Sequence, residues 1–270
     1  MPTSAAGPTR ESHQARELAE SFGADAERYD RTRPSYPEAM IQRVVTAAPG
    51  RDLVDVGCGT GIATRQFRAA GCAVLGVEVD ERMAGPARRG GIDVEVSPFE
   101  SWDTAGRTFD IVAAGQTWHW VDPVAGAAKA AEALRPGGVL ALFWNVAVPP
   151  ADLSAAFADV YRRVVPGFPV FDAARQGGGH SVFVDKATAG LRAVGAFAEP
   201  EESRFDWERP YTKEEWLDVV PTSGGHSRFP AETLSELLSG IGAVLDAHGG
   251  SFTMTYTTLL LTAVRAADPA

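Results

Sequence analysis

Between residues 52 and 144 the chain alternates short apolar-rich runs with longer mixed stretches. The runs 52–56, 73–79, about 92–96, 109–114 and 139–144 are rich in Val, Leu, Ile and Phe, which predicts β-strands largely covered on both faces. The stretches between them predict helices over 61–70, 81–89 and 123–134. Such βαβα order implies a parallel sheet with helices on both faces. Before this core, helices are expected at about 12–22 and 37–47, separated by short pieces that Pro34 and Pro37 break. After it, helices are expected at 151–165, 186–195, 212–220 and 230–248, with strands at 197–207 and 252–264 and a Pro/Gly-rich loop at 166–180. The fold class is therefore α/β: a doubly wound, mostly parallel seven-stranded sheet with a helical lid or insertion. One domain is expected over 12–270, with 12–47 as an N-terminal helical cap, 146–196 as the lid, and 1–11 as a disordered tail.

Composition narrows the function classes. Apolar residues make up 45% and charged residues 22% of 270, as in soluble globular proteins. The formal net charge of −10 and the lack of a dense Lys/Arg cluster argue against nucleic acid as a partner. No apolar run approaches the roughly 18 residues of a membrane span. The opening MPTSAAGPTRESHQ has no apolar signal core, so a cytoplasmic protein is expected. Cys58 and Cys72 are the only cysteines, with neither metal-type spacing nor a disulfide framework, so no metal is expected.

The chemistry concentrates in residues 53–61, LVDVGCGTG, where a strand runs through Asp55 into Gly57, Gly59 and Gly61 and then straight into a helix. Such a unit brings bare backbone N–H groups up to a ligand. A phosphate-binding P-loop needs Lys and Ser/Thr after its last glycine, and Ile62 and Ala63 stand there. A dinucleotide fingerprint needs a small residue where Ile62 falls, which disfavours a nicotinamide cofactor, although Ala63 lies one place on. Glu78 closes the second strand, 21 residues after Gly57, and one carboxylate there can accept both hydroxyls of a ribose. Gln116-Thr117-Trp118-His119-Trp120 follows the fourth strand, at the end of the sheet where open α/β folds bind ligands.

The pattern Asp55-x-Gly57-x-Gly59-x-Gly61, followed in order by Glu78, resembles the first motifs of the class I S-adenosylmethionine-dependent methyltransferases. The resemblance implies that S-adenosyl-L-methionine is the cofactor. It implies that Gly57, Cys58 and Gly59 lie along its methionyl part, that Asp55 orients the loop or meets the ammonium, and that N–H groups near Thr60 and Gly61 favour the carboxylate. Glu78, with Val79 beside it, would take the ribose. Phe99 and Glu100 occupy the adenine position, although many members carry an acid where Pro98 stands here. Gln116 would face the methyl end. Tyr29-Asp30-Arg31-Thr32-Arg33-Pro34-Ser35-Tyr36-Pro37, together with His119-Trp120 and the glycine loop, is similar to the small-molecule branch that includes trans-aconitate methyltransferase-like enzymes. In that branch the N-terminal segment closes over the donor, so Tyr29 and Arg33 are implied at its carboxylate; packing of the helix pair is the alternative.

His119 is the candidate catalytic base, with a structural histidine beneath the loop as the competing reading. Trp118, Trp120 and Trp144 are candidate substrate walls. Arg175, His180, His226 and Arg228, beside glycines in two loops, are candidate contacts to a polar or anionic small acceptor. O-methylation of a carboxylate or hydroxyl is the favoured reaction, by a monomer or homodimer. A donor-binding protein or cyclase on the same fold, and an NAD-dependent oxidoreductase, are the alternatives.

Overall fold

The computed structural model describes residues 21–168 and 179–267, and the side chains of 179–181 are outside that description. Seven strands, β1 (Asp52–Val56), β2 (Ala73–Glu78), β3 (Asp93–Val96), β4 (Phe109–Gly115), β5 (Leu134–Val148), β6 (Glu201–Thr212) and β7 (Ser251–Val264), form one sheet in the order β3-β2-β1-β4-β5-β7-β6. Strands β1 to β5 are parallel to one another, and β7 runs antiparallel between β5 and β6. The expected seven-stranded, mostly parallel architecture is the observed one.

Nine α-helices are described: α1 (Ala26–Thr32), α2 (Glu38–Ala47), α3 (Ile62–Ala69), α4 (Glu81–Arg89), α5 (Pro123–Ala133), α6 (Ala151–Val164), α7 (Gly179–Val194), α8 (Lys213–Val219) and α9 (Ala231–Ala247). Alternation along the strands sends successive side chains to opposite faces. Val54, Val112, Leu140 and Leu142 therefore pack beneath α5 and α7 through Ala127, Ala130, Ala187 and Leu191. Leu53, Ile111, Ala141 and Phe143 pack on the other face beneath α2 and α3 through Met40, Val44 and Phe67. A further cluster joins α6, α8 and α9 to the far ends of β6 and β7, with Phe157, Tyr211, Leu237 and Phe252 buried together.

Four elements depart from the sequence expectation. The stretch expected as broken pieces contains α1, because the Asp25 carboxylate caps it by accepting the Arg28 N–H at 3.0 Å. Strand β5 extends at both ends beyond 139–144: β7 pairs with it as far as Val148, and at the other end Leu134 pairs with Phe109 of β4. Strand β6 lies at 201–212 rather than 197–207; its polar half is held by pairing with β7 from Glu201↔Thr262 to Thr212↔Ser251. Helix α7 starts at Gly179 rather than 186, and its residues Val184 and Leu191 belong to the main core. The tail 1–11 and most of the expected helix from Ser12 lie outside the described residues, and Ser21–Asp25 form a single 3-10 turn. Among the described residues no helix is long and apolar enough to cross a membrane.

The strand order reverses between β1 and β4, since β1 leads outward to β2 and β3 while β4 leads the other way. A crevice outside the carboxyl ends of these two strands follows from that topology.

Candidate functional site

The crevice holds a cavity of about 350 Å³. Its wall brings together Tyr29, Arg33, Asp55, Gly57, Cys58, Gly59, Thr60, Glu78, Val79, Phe99, Glu100, Gln116, His119 and Trp120. These come from α1, the β1–α3 loop, the ends of β2, β3 and β4, and the turns that follow them. Five elements distant in sequence thus converge on one space.

The loop takes its shape from glycine. Gly57, Gly59 and Gly61 all have left-handed backbones, at φ +60°, +53° and +90°. At Gly57 the reason is also steric. A Cβ there would lie 2.2 Å from Thr117 Cγ2, and Thr117 Oγ1 donates to the Gly57 carbonyl at 3.1 Å. The bare backbone at the end of β1 therefore docks directly on the turn after β4. Gly57 N–H and Cys58 N–H both donate to the Val77 carbonyl, at 2.7 and 3.2 Å, which ties the loop to β2. Gly61 does not line the cavity; it turns the chain into α3 against Ile92.

Two carboxylates lie under the loop. Asp55 is buried on the α3 face of β1 and accepts a 2.5 Å hydrogen bond from Thr64 Oγ1. Burial, reinforced by the negative Glu78 and opposed by the Thr64 bond, raises its carboxyl to about 7. Glu78 accepts three backbone N–H groups: Gly59 at 2.8 Å on one oxygen, Val79 at 2.9 Å and Asp80 at 3.0 Å on the other. Its pKa is raised by burial, and those three bonds oppose the rise. Cys58 is no nucleophile, because burial beside Asp55 and Glu78 drives its thiol far up.

Helix α1 covers the cavity. The Arg33 guanidinium lies 5.1 Å from the centre of the Tyr29 ring and donates to the Thr222 carbonyl at 2.5 Å. Ion pairs fix the helix on three sides: Glu27 with Arg89, Asp30 with Arg65, and Arg28 and Arg31 with Asp218. Within this wall, Arg33 Nε and Thr60 Oγ1 are buried with no hydrogen-bond partner. Buried polar atoms are rarely left so, and both residues line the cavity. The donor set suits a zwitterion: a buried acid for an ammonium, and a guanidinium and a hydroxyl for a carboxylate.

Just beyond β4, Gln116 adopts φ +56°, an uncommon conformation for a residue with a side chain. Its N–H donates to the Phe143 carbonyl at 2.9 Å and its Nε2 to the Asn145 carbonyl at 3.1 Å. Trp118–Trp120 form a 3-10 turn that brings His119 and Trp120 to the cavity. The His119 ring stacks on Phe183 of α7 at 4.6 Å and lies 4.7 Å from Trp120.

Other candidates lie elsewhere. Trp118 and Trp144 are not cavity walls: both are almost fully buried in the core beneath α5 and α7, Trp118 against Gly126. His226 is buried in the cluster around α6 and α9, where its Nε2 and the Tyr161 hydroxyl are 2.7 Å apart. Arg228 is exposed and outside the cavity. Arg175 and the His180 side chain lie outside the described residues. Phe22 and Met83 also line the space and carry no reading from the sequence, and so do Tyr36, Ser97 and Thr117, neighbours of the candidates named above. The neighbour of Gln116 in the motif could have suggested Thr117; Phe22 and Met83 are apolar residues with no local signal.

Residues 29–248 match the model of the methyltransferase domain family. The chain belongs to that family. An uncharacterized methyltransferase of Mycobacterium tuberculosis is 26% identical over 236 residues, covering 86% of this chain and 88% of the relative. A ubiquinone biosynthesis O-methyltransferase of Methylococcus capsulatus is 33% identical over 103 residues, covering 35% of this chain and 44% of that protein. Among solved structures, a chain assigned as a type II methyltransferase of Anaeromyxobacter dehalogenans superposes with TM-score 0.61 at 22% identity, covering 85% and 97% of the two chains. The (4+2)-cyclase SpnF superposes with TM-score 0.52 at 15% identity over 97% and 99%. At those identities the structures show that this methyltransferase shares their fold. The trans-aconitate-like branch is not singled out among these relatives.

Proposed function

We propose that this methyltransferase moves a methyl group from S-adenosyl-L-methionine to an oxygen atom of a small-molecule acceptor, in a reducing, cytoplasmic setting. The observation that carries the reading is the single cavity that gathers the glycine loop, Glu78, Arg33 and the turn after β4. The O-methyltransferase relatives support oxygen as the acceptor atom. When bound, S-adenosylmethionine supplies a methyl on a sulfonium, and transfer forms an oxygen–carbon bond as the sulfur–carbon bond breaks.

The chain's own groups divide the remaining work. Asp55 and the loop N–H groups seat the amino-acid end, with Arg33 and Thr60 Oγ1 satisfied by its carboxylate. Glu78 accepts from the ribose, and Phe99 forms the wall against the adenine. Helix α1, Trp120 and His119 exclude water and align the acceptor, the main source of rate in a displacement whose reactive group arrives preformed. Where the acceptor is a hydroxyl, an imidazole nitrogen of His119 takes its proton.

The test has two stages. Calorimetry with S-adenosylmethionine, S-adenosylhomocysteine and NAD identifies the cofactor; binding of NAD alone ends the reading. Labelled donor incubated with cell extract then reports transfer. Donor binding with no labelled product would instead favour a non-methylating role, one that the fold of SpnF accommodates.

A further inference from the structure

Beyond α1, on the outer side of Arg33, an open groove of about 380 Å³ runs between α1, α3 and β6. Four arginines face it, Arg31, Arg33, Arg65 and Arg209, against the single carboxylate Asp30. In a chain whose net charge is −10, this is a local reversal of sign. Two of the four are neutralised: Arg65 pairs with Asp30 at 2.7 Å and Arg31 with Asp218 at 2.8 Å. Arg33 and Arg209 are not. Among the described residues Arg33 bonds to the Thr222 carbonyl, while Arg209 lies 4.5 Å from the centre of the Tyr211 ring and reaches the Thr32 carbonyl at a long 3.5 Å. Neither has a carboxylate partner there.

The Arg209 guanidinium reaches the Thr32 carbonyl, in the peptide that leads into Arg33. With the donor's carboxylate on the cavity side of Arg33, as proposed above, Arg209 is the charge of the groove left without a counter-charge, and a bound anion supplies one. Arg33 and Ile62 line both the groove and the donor cavity, so the two spaces share a wall.

From this geometry we propose that the groove between α1, α3 and β6, centred on Arg209, binds a carboxylate or phosphate group of the methyl acceptor. The proposal rests on the donor cavity being what is proposed above. The guanidinium planes suit a two-point grip on either oxyanion. Because the groove is open, binding is weak for a free ion and falls with ionic strength.

The experiment titrates succinate and inorganic phosphate separately into the full chain, at constant ionic strength, following the arginine Nε–H resonances by NMR. It is repeated with S-adenosylhomocysteine present. Saturable binding of either ion is expected, weakened at least about tenfold by Arg209→Ala and by less in Arg209→Lys, which keeps the charge but not the two-point grip, with an unchanged affinity for S-adenosylhomocysteine. Succinate alone binding assigns a carboxylate acceptor, and phosphate alone a phosphorylated one. The proposal is overturned if neither ion saturates, if Arg209→Ala binds as the wild type does, or if either ion competes with S-adenosylhomocysteine. Anion binding that persists in a chain unable to bind S-adenosylhomocysteine overturns the donor reading and leaves the groove an anion site.

Discussion

Glu78 Oε2 holds the Gly59 N–H at 2.8 Å, so the acid that ends β2 also braces the glycine loop nineteen residues before it. Its other oxygen is engaged by Val79 and Asp80. A carboxylate has about four acceptor positions, so a diol can be admitted only by sharing or displacing the Gly59 bond. Glu78→Gln replaces one acceptor oxygen with an amide that cannot accept. Two losses are expected together: S-adenosylhomocysteine binds about 10–100-fold more weakly, and the chain loses about 1–3 kcal/mol of stability. Calorimetry and urea unfolding measure them separately. An unchanged affinity with reduced stability would leave Glu78 as a loop brace alone.

Asp55 gives the site a pH dependence. Its folded-state carboxyl, at about 7, lies above the unfolded value of 3.8, so the folded chain holds the proton more tightly. That contribution to stability is complete below the unfolded value and is lost as pH rises through about 7. Asp55→Asn, which keeps an acceptor for Thr64, is therefore expected to be more stable than the wild type at pH 8 and similar to it at pH 4. Donor affinity runs the other way. An ammonium pairs with the ionised carboxylate, so wild-type affinity for S-adenosylhomocysteine rises from pH 5.5 to 7.5, and Asp55→Asn flattens that slope. A wild-type affinity independent of pH in that window would remove Asp55 from contact with the ammonium.

Gly57 is under two constraints that can be separated. Alanine at its left-handed backbone costs about 1–2 kcal/mol. The Cβ would also lie 2.2 Å from Thr117 Cγ2, which adds a steric cost. Gly57→Ala should lower the melting temperature and abolish measurable donor binding. Thr117→Ala in the same chain removes the nearest atoms and should recover part of the stability, a non-additive pair. Recovery of none of it would place the whole penalty in the backbone.

What the sequence disclosed follows the range of the interactions involved. The β1–α3 unit and Glu78 were legible because a strand, three glycines and a helix are consecutive, and the acid sits one strand later. Helix α1 was not, because its start depends on the Asp25 cap and its place on ion pairs to Arg65, Arg89 and Asp218. Trp144 was legible in principle. It shares strand parity with Leu140 and Leu142, which face the core beneath α5 and α7, while Phe143 faces α2 and α3. The His226–Tyr161 contact spans 65 residues, and nothing local in TSGGHSR announces a buried histidine.

His119 carries the last prediction. Its ring is both a candidate base and a packing surface on Phe183, so alanine alone conflates the two roles. His119→Phe keeps an aromatic ring on Phe183 and removes the proton acceptor. If the imidazole takes a proton from a hydroxyl acceptor, both His119→Ala and His119→Phe lower turnover by about 10²–10⁴-fold. Both should leave the affinity for S-adenosylhomocysteine within about threefold, because the donor is held from the loop, Glu78 and Arg33. Turnover is followed with labelled donor and the acceptor fraction of cell extract, and the melting temperature of each variant is read alongside. Near-normal turnover in His119→Phe with a loss in His119→Ala would make the ring a positioning surface, and the acceptor a group that needs no base.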